Sequence, residues 1–446
     1  MDFSPATLKH ALSTGPADTH YWVAYSGGVD SHVLLHALTA LRDSLAAAPG
    51  AVHVNHGLQA AAGKWQEHCR SVCRALAVPL VELQVDGRAV GGESPEAAAR
   101  QARYSALQDW LPDGHCLLTA QHQDDQAETL LLQLLRGSGV KGLAAMPAAS
   151  TFGAGHLLRP LLAVRRVDLL AYAQQHGLQW VEDPSNTDTG LDRNFLRHRI
   201  LPVLRERWPA TSETLARSAA HCAEAATLLG QLADSDINDV CHEQMACLSI
   251  PALQQLTPAR QRNVLRSWLV QHSGGAPSAA VLSRISNDIL GSRADAEPCV
   301  RFAAQEVRRY RDRLYLQRQA PVHNPAMVLD WDLRGPLLLP AAGGSLTASR
   351  ESGNGIRLAA INRQVRVSYR RGGERCRPAG RQHHHSLKKL FQERGVPPWE
   401  RQRIPLIYVD DRLAAVAGHW VCEPFSAAAG EPGMAIHWHR QPDQPN

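Results

Sequence analysis

The fold of this 446-residue chain is decided by the hexapeptide Ser26-Gly27-Gly28-Val29-Asp30-Ser31. It follows an apolar run, Tyr21–Tyr25, and leads directly into an amphipathic segment. Glycines behind a strand allow a sharp turn and the close approach of an anion. The helix that follows offers unpaired N–H groups and the positive end of its dipole. The order of strand, glycine turn and helix therefore predicts an α/β domain with a phosphate-binding loop, and an ordinary glycine turn with Ser31 as a helix cap is the alternative.

Apolar runs of strand length alternate with amphipathic segments through the first half of the chain. This alternation is typical of repeated βα units, so we predict a doubly wound parallel sheet. Its ligand crevice should lie beyond the carboxyl ends of the strands, where the loops at Ser26, Asn55 and His122 meet. The predicted strands are Tyr21–Tyr25, Ala51–Val54, Pro79–Val85 and Cys116–Ala120, and the predicted helices are Ser31–Leu45, Gly63–Leu76, Ser94–Leu111 and Asp125–Leu135.

The rest of the chain reads as two further domains. Helical periodicity takes over after residue 208 and is clearest in Leu215–Leu232 and Ala259–His272. Val300–Leu316 is typical of two short strands, and the proline-containing stretch Gln319–Ala326 is typical of a linker. We predict an α/β domain at residues 1–208, a helical middle domain at 209–320 and a small α+β domain at 327–446, the last with strands Gln364–Tyr369 and Ile404–Val409 and a basic helix Ser386–Glu393.

Length and composition are typical of a globular protein without a membrane segment. Hydrophobic residues make up 44% and charged residues 20% of the chain. No apolar stretch approaches the roughly 20 residues that a bilayer-spanning helix needs. Residues 1–20 hold no apolar core of a secretory signal. The nine cysteines include no C-x-x-C pair, which predicts reduced thiols and a cytoplasmic protein.

Positive charge is concentrated in one segment of the third domain. Arg363–Arg403 holds twelve Lys or Arg against three Asp or Glu, a net charge of +9, whereas the whole chain carries +5. Because phosphate neutralisation dominates affinity for nucleic acids, such a segment indicates a polyanionic partner. From charge alone, a solvated face explains these residues equally well.

The glycine loop differs from the common nucleotide-binding loops. It lacks both the lysine of G-x-x-x-x-G-K-[ST] and the spacing of the dinucleotide loop G-x-G-x-x-G. The hydroxyl groups of Ser26 and Ser31 flank its glycines instead. In this form the hexapeptide resembles the pyrophosphate loop of enzymes that split ATP between its α- and β-phosphates to adenylate a substrate. The resemblance implies ATP as a substrate and AMP chemistry rather than phosphoryl transfer.

A second group of chemistry-bearing residues follows the predicted strand Cys116–Ala120. Asp124 and Asp125 are adjacent, and Glu128 lies on the helix face of Asp125. Carboxylate oxygens could hold Mg²⁺ while ATP phosphates complete its octahedron. Acidic residues that complement a helix dipole would explain the group without a metal. The neighbouring glycine loop favours the metal interpretation.

A third stretch combines Glu182-Asp183-Pro184-Ser185-Asn186 with Arg193 and Arg197. At helical spacing the two arginines share a face, from which a guanidinium could clamp a phosphate or stabilise a leaving pyrophosphate. The letters around Pro184 are equally typical of a turn.

Taken together, these motifs resemble the tRNA(Ile)-lysidine synthetase family, whose members are PP-loop, N-type ATP pyrophosphatases with an adenine-nucleotide α-hydrolase-like sheet. The resemblance is strongest between Ala24 and Leu204 and covers nearly the whole chain. It is carried by Ser26–Ser31, His53-Val54-Asn55-His56-Gly57-Leu58, Ala99-Arg100-x-x-Arg103-Tyr104, His122-x-Asp124-Asp125-Gln126-x-Glu128-Thr129, Arg136-Gly137-Ser138-Gly139, Glu182–Asn186 with Arg193-Asn194, Val307-Arg308-Arg309-Tyr310 and Leu387-Lys388-Lys389-Leu390-Phe391-Gln392-Glu393. One position departs from the family pattern, because Gln121 stands where the first histidine of His-His-x-Asp-Asp is usual.

The resemblance implies ligation of free L-lysine to carbon 2 of the wobble cytidine in tRNA(Ile) with a CAU anticodon, which changes the codon read from AUG to AUA. The base oxygen attacks the α-phosphate of ATP and pyrophosphate leaves; lysine then displaces AMP. The second step needs a neutral amine, whereas a free ε-ammonium has a pKa near roughly 10.4, so a carboxylate must position it and accept a proton.

The resemblance also implies roles for particular residues. ATP is expected at Ser26, Gly27, Gly28, Val29, Asp30, Ser31, Asn55 and His56, and the catalytic residues are expected to be Asp30, Asp125, Arg193 and Arg100. Lysine or Mg²⁺ is expected at Asp124, Asp125 and Glu128, with Mg²⁺ held through Asp30 or Asp125. The expected contacts to tRNA phosphates are Lys388, Lys389, Arg394 and Arg401.

Three other functions compete with this one. A PP-loop tRNA thiolase needs paired cysteines to carry sulfur or a cluster, and no C-x-x-C pair is present. A small-molecule ligase that forms an acyl-adenylate would not explain the basic segment. A noncatalytic tRNA-binding protein with a degenerate nucleotide domain is opposed by the intact loop and its neighbouring carboxylates.

Overall fold

A computed structural model describes residues 3–13, 15–16, 19–55, 62–86, 95–241, 247–273, 275–293, 296–319, 324–340, 343–361 and 364–440. The chain divides into two compact units, Met1–Gln231 and Leu232–Asn446. Each unit has hydrophobic cores of its own.

The first unit is built on a six-stranded sheet. Its strands are β1 (Tyr21–Ala24), β2 (Gly50–Asn55), β3 (Leu80–Gln84), β4 (Cys116–Leu118), β5 (Ala149–Phe152) and β6 (Gly155–Leu158). The strand order is β3-β2-β1-β4-β6-β5, and every neighbouring pair is parallel except the β5–β6 hairpin. The predicted parallel α/β sheet is confirmed. The hairpin is not among the predicted strands, because the half-exposed β5 offers no apolar run to read.

Helices cover both faces of this sheet. They are α1 (Pro5–Leu12), α2 (Val29–Thr39), α3 (Ala62–Ala75), α4 (Pro95–Trp110), α5 (Gln123–Leu135), α6 (Val140–Leu143), α7 (Arg166–Gln175), α8 (Asp192–Phe195) and α9 (Leu201–Arg207), with 3-10 turns at Arg42–Ser44 and Pro184–Thr187 and a π turn at Leu196–Ile200. Val23 of β1 packs with Val33 of α2 and Cys69 of α3 on one face. On the other face Val52 of β2 packs with Leu107 of α4. Successive side chains of a strand point to opposite faces of the sheet, so one strand can contribute to both cores.

The second unit begins within a long helix. α10 (Thr211–Val240) starts in the first unit and ends in the second. It is followed by β7 (Cys247–Ser249), α11 (Ile250–Gln255), α12 (Pro258–Ser273), α13 (Ala279–Arg284), a π turn at Ile285–Leu290, β8 (Cys299–Phe302), β9 (Gln305–Tyr310) and β10 (Arg313–Arg318). The strands form an antiparallel sheet in the order β7-β10-β9-β8. Both clearest predicted helices lie within α10 and α12. The sheet is larger than the two strands expected between residues 300 and 316.

The remainder of the second unit is mainly antiparallel sheet. Its strands are β11 (Val328–Trp331), β12 (Leu337–Leu338), β13 (Ser345–Ser352), β14 (Ile356–Arg357), β15 (Val365–Ser368), β16 (Arg375–Cys376), β17 (His385–Ser386), β18 (Leu406–Val409), β19 (Arg412–Val416), β20 (Trp420–Val421) and β21 (Pro432–His439), with helices α14 (Leu387–Glu393) and α15 (Pro398–Arg401) and a 3-10 turn at Leu358–Ala360. The strands form sheets in the orders β11-β15-β18-β19-β20, β12-β13-β21-β14 and β16-β17. The expectation of nine reduced thiols is wrong for Cys376 and Cys422, which are joined in a disulfide. They lie 46 positions apart in sequence, and no local spacing pattern marks them as a pair.

No helix among the described residues combines the length and the apolar character needed to cross a bilayer.

A buried histidine makes the first unit sensitive to acid. His32 of α2 is 5% exposed, its ring meets Tyr25 and His68 edge-on, and burial lowers its pKa to about 4. The unfolded chain takes up this proton near pH 6.5, so the contribution is complete above that pH and is lost as the pH falls toward 4. We expect a loss of about 1 kcal/mol at pH 5.5 and up to about 3 kcal/mol at pH 4.

Urea unfolding of the wild type and His32→Gln at pH 7.0 and pH 5.5 measures this loss. The stability difference between the two proteins should shrink by about 1 kcal/mol at the lower pH. His10→Gln removes an exposed histidine of α1 and serves as the matched control. An equal difference at both pH values would contradict the assignment to His32.

Candidate active site

The glycine loop is held in shape by its own two serines. The Ser31 hydroxyl donates to the Gly28 carbonyl at 3.0 Å and accepts from the Ser26 hydroxyl at 3.0 Å. It also accepts from the Ser26 backbone N–H at 3.3 Å. Gly27 has a φ of +84°, a conformation that a side chain would strain. Gly28 caps α2 without a side-chain hydrogen bond, so the first N–H groups of the helix are left for a ligand.

The loop opens into a cleft of about 380 Å³ at the carboxyl ends of β1, β2 and β4. Ser26 and Gln121 lie just beyond β1 and β4, Asn55 is the last residue of β2, and the three meet in the cleft, as the topology of a parallel sheet predicts. A segment between α7 and α8 closes one side, because the Val181 N–H donates to the Gly27 carbonyl at 3.0 Å. The lining residues include Ser26, Gly28, Asp30, Ser31, His53, Asn55, Trp65, Arg103, Tyr104, Thr119, Gln121, Asp125, Asp183, Asn186 and Arg193.

Only some of the predicted ATP-binding and catalytic residues therefore line the cleft. Ser26, Gly28, Asp30, Ser31, Asn55, Asp125 and Arg193 line the cleft, and Gly27 and Val29 complete the turn of the loop. Arg100, Asp124 and Glu128 are not among the lining residues. His56 falls outside the described residues.

A buried imidazole joins the two carboxylates of the cleft. His122 is 2% exposed, and its Nε2 lies 3.7 Å from Asp30 Oδ2 and 3.3 Å from Asp125 Oδ2. Asp125 Oδ2 also accepts from the His122 backbone N–H at 3.0 Å. Burial alone would lower the pKa of His122, but the Asp30 and Asp125 carboxylates raise it. This residue lies in a motif noted in the sequence, but its position between two acids follows only from the fold.

Asp30 retains an acceptor for a ligand. Its Oδ1 is buried and has no hydrogen-bond partner among the described residues. Those residues contain no group of three or more side chains able to hold a metal on their own. Asp30 and Asp125 together fit a Mg²⁺ ion that takes its other ligands from ATP phosphates and water, or the ammonium group of an amine.

Glu128 is the anchor of an arginine clamp and is not among the residues that line the cleft. It is 0% exposed, and it accepts from Arg193 Nε at 2.9 Å and from Arg197 Nε at 2.6 Å. Arg193 also donates to Thr129 Oγ1 at 3.0 Å, and Arg197 donates to Asp125 Oδ1 at 3.0 Å. Burial alone would lower the pKa of Arg197, but Glu128 raises it above its ordinary value.

Two of the three acids predicted to hold lysine or Mg²⁺, Asp124 and Glu128, pair with arginines outside the cleft lining. Both oxygens of Glu128 are taken by guanidinium groups, so the expectation that it holds lysine or Mg²⁺ is not supported. Asp124 is paired with Arg205 at 2.8 Å and is not among the residues that line the cleft. Asp125 keeps its predicted position in the cleft. The fold thus places Asp125 in the cleft, where it also accepts from Arg197, and pairs Asp124 and Glu128 with arginines outside the cleft lining.

The four residues predicted to contact tRNA, all in the second unit, differ in their exposure to solvent. Lys388 and Lys389 lie exposed on α14, and Arg394 lies exposed at its end with its guanidinium 5.4 Å from the Trp420 ring. Arg401 is only 6% exposed and donates to the Val396 carbonyl at 2.8 Å and to the Tyr310 hydroxyl at 3.1 Å. The structure gives a phosphate contact at Arg401 no support, because the side chain is buried and two of its donors are used inside the unit.

Three family profiles match the chain. One described as a PP-loop domain matches residues 5–204, one described as a TilS substrate binding domain matches residues 248–315, and one described as a TilS substrate C-terminal domain matches residues 365–438.

Relatives of similar length match almost the whole chain. It is 45% identical to a tRNA(Ile)-lysidine synthase of Coxiella burnetii, over 97% of this chain and 96% of the relative. It is 47% identical to the tRNA(Ile)-lysidine synthase of Methylococcus capsulatus, over 94% and 96%. For the protein of that name from Escherichia coli O157:H7 the identity is 42%, again over 94% and 96%. A U34-tRNA thiolase NcsA from Methanococcus maripaludis is similar with a TM-score of 0.42 and 16% identity, over 49% of this chain and 78% of the other.

Proposed function

The chain belongs to the tRNA(Ile)-lysidine synthase family, and from this premise we propose that it ligates free L-lysine to carbon 2 of the wobble cytidine in the CAU anticodon of tRNA(Ile). ATP is converted to AMP and pyrophosphate in the process. One observation carries the proposal: a glycine loop at a helix start, two carboxylates and Arg193 line a single cleft.

The first step is adenylation of the base. The cytidine O2 attacks the α-phosphorus of ATP, the bond to the β-phosphate bridging oxygen breaks, and pyrophosphate leaves. The first N–H groups of α2 and the loop backbone can hold the outer phosphates, since both present donors to an anion. Arg193 is aimed at the same cleft by Glu128 and can stabilise the charge on the departing pyrophosphate.

The second step replaces AMP by lysine. The ε-nitrogen attacks carbon 2, the bond from carbon 2 to the AMP-bound oxygen breaks, and the amine loses protons. A free ammonium has a pKa near about 10.4, so the attacking amine needs an acceptor for its proton. Asp30 and Asp125 stand 3.7 Å and 3.3 Å from the bridging imidazole of His122, and we propose that one of them receives the ammonium.

Mg²⁺ would be held by Asp30 or Asp125 together with ATP phosphate oxygens. The unpartnered Oδ1 of Asp30 supports this assignment, because a buried carboxylate oxygen without a donor favours a cation. When bound, the ion would neutralise charge on the phosphates.

For the tRNA body we propose contacts from the second unit. Lys388, Lys389 and Arg394 are exposed cations on and beside α14, within the segment of net charge +9. Such contacts to phosphates position the RNA and contribute salt-dependent affinity.

The cysteines support this function over a tRNA thiolase. Cys69 and Cys73 lie behind the loop and are at most 1% exposed. Burial raises the pKa of Cys69 to about 12 and that of Cys73 to about 11. The thiolate is the form that carries sulfur, so buried thiols of this kind are inert.

The test follows radiolabelled lysine into RNA. Purified protein with ATP and Mg²⁺ should transfer lysine to a tRNA(Ile) transcript with a CAU anticodon, and ATP–pyrophosphate exchange should depend on that RNA. A transcript with a GAU anticodon is the matched control and should accept no lysine. A protein that binds the RNA but shows neither exchange nor transfer would be a noncatalytic binder, and the proposal would fail.

A further inference from the structure

Three guanidinium groups surround one tyrosine on the α4 wall of the cleft. Arg100 and Arg103 of α4 lie with their Cζ atoms 4.7 Å and 5.9 Å from the centre of the Tyr104 ring. Arg159, directly after β6, approaches Tyr104 as well. Arg103 and Tyr104 line the cleft, whereas Arg159 is 9% exposed and stands behind them. The steps described for the proposed reaction use none of these side chains.

The donors of this cluster outnumber its acceptors. The Tyr104 hydroxyl lies 3.5 Å from Arg100 Nη2 and 3.4 Å from Gln121 Nε2, both long for hydrogen bonds. A phenol oxygen has lone pairs for about two donors. Arg159 Nε is buried and has no hydrogen-bond partner among the described residues. Arg159 Nη1 donates to the Pro147 carbonyl at 2.8 Å, but no carboxylate among the described residues offsets its buried charge, which an anion in the cleft would offset.

Among the described side chains, the charges of this cluster are also unbalanced. Within the described part of the chain, no carboxylate forms an ion pair with Arg100, Arg103 or Arg159, whereas Arg193 and Arg197 on the other wall share Glu128. Burial lowers the pKa of Arg103 and of Arg159, and the charge of Arg100 adds to the effect in both. Arg103 and Arg159 nevertheless stay charged at neutral pH, because an arginine does not lose its proton in proteins. An anion bound here would relieve their repulsion.

The position of the cluster distinguishes it from the loop. α2, which carries the loop, packs on one face of the sheet, and α4 packs on the opposite face. The two anion-attracting walls thus flank the ends of β1, β2 and β4 from opposite faces. The backbone N–H groups of the loop can bind the phosphates of ATP, so the α4 wall is available for a second anionic group.

We propose that Arg103 and Tyr104 bind a backbone phosphate of the RNA strand beside the target cytidine, and that the nearby charges of Arg100 and Arg159 add to the attraction. The proposal rests on the proposed function and extends it by a subsite. A nucleotide within a strand brings a phosphate on each side, which matches three cations better than the single carboxylate of free lysine. Guanidinium groups bind phosphate oxygens in pairs of hydrogen bonds, and the Tyr104 hydroxyl can donate another.

The first experiment changes the RNA and leaves the protein intact. Wild-type protein is titrated with a tRNA(Ile) transcript whose linkage on either side of the target cytidine is an uncharged methylphosphonate. One of the two linkages should weaken binding by about 10-fold, and the slope of log affinity against log salt should become shallower by about 0.7 to 1. Equal affinity for all three RNAs would overturn the proposal.

The second experiment removes the charge from the protein. Arg103→Gln should reproduce the loss with the normal RNA and lose nothing more with the sensitive methylphosphonate RNA, since the two changes remove one interaction. Arg103→Lys should recover part of the affinity. Arg166→Gln removes an exposed arginine at the start of α7 and should bind like the wild type.

Binding of ATP and of lysine separates the possible anions. Arg103→Gln should leave the Kd of ATP and the KM of lysine unchanged. A weaker ATP affinity with normal RNA binding would place an ATP phosphate here, and a raised KM for lysine alone would place its carboxylate here; either overturns the proposal. A wild-type protein that fails to transfer lysine refutes the proposed function instead, and RNA binding is measured independently of that failure.

Discussion

Replacing Glu128 by glutamine is expected to lower lysine transfer at least about 1,000-fold and to destabilise the first unit by about 3 kcal/mol. Its carboxylate is fully buried and is the shared counter-charge of Arg193 and Arg197. Glutamine has nearly the same shape, so the change removes charge and leaves the volume in place. Two guanidinium groups that are about three-quarters buried then lose their shared counter-charge, although Arg193 keeps the neutral Thr129 hydroxyl and Arg197 keeps Asp125.

Two measurements follow this change: urea unfolding for stability and single-turnover transfer of labelled lysine for activity. Glu67→Gln is the matched control, because Glu67 is 63% exposed and pairs with Arg70 on the surface. It should change stability by less than about 0.5 kcal/mol and leave transfer unchanged. Unaltered transfer by a folded Glu128→Gln protein would show that Arg193 needs no buried anchor.

Asp30→Asn is expected to lower overall lysine transfer by about 1,000-fold without unfolding the protein. The residue is partly exposed in the first turn of α2, with Oδ1 unpartnered and Oδ2 3.7 Å from His122. An amide cannot bind a metal or an ammonium as a carboxylate does. The tRNA affinity should stay unchanged, since the phosphate contacts proposed for RNA lie elsewhere.

The two steps of the reaction show which cation Asp30 meets. If Asp30→Asn abolishes both tRNA-dependent ATP–pyrophosphate exchange and lysine transfer, Mg²⁺ is assigned to Asp30. Normal exchange with lost transfer would assign lysine to it and leave the metal to Asp125. Asp43→Asn, at an exposed turn after α2, is the matched control. Undiminished transfer by Asp30→Asn would refute the mechanism proposed for the cleft.

Local patterns were sufficient to predict the elements that carry the site. The strand before the loop and the helix after it occur as β1 and α2, although α2 ends at Thr39 rather than Leu45. Such elements are readable because burial of a strand or of one helix face imposes a period on the sequence itself.

Roles that depend on partners distant in sequence could not be predicted in this way. Glu128 meets Arg193 across 65 positions, and Arg401 meets Tyr310 across 91. The sequence alone does not distinguish a charged residue that binds a ligand from one that forms an internal ion pair. Only the list of its neighbours in space separates the two cases.

The sequence by itself determined the parallel α/β sheet, the phosphate-binding turn and the edge of the sheet where ligands bind, because glycine placement and hydrophobic period are local properties of the chain. The tertiary structure decided which acids face the cleft. It buried Glu128, turned Asp124 toward Arg205, and left Asp30 and Asp125 beside His122. The physical reason is that the availability of a charge is set by desolvation and by partners from other elements, and both exist only after the chain has folded.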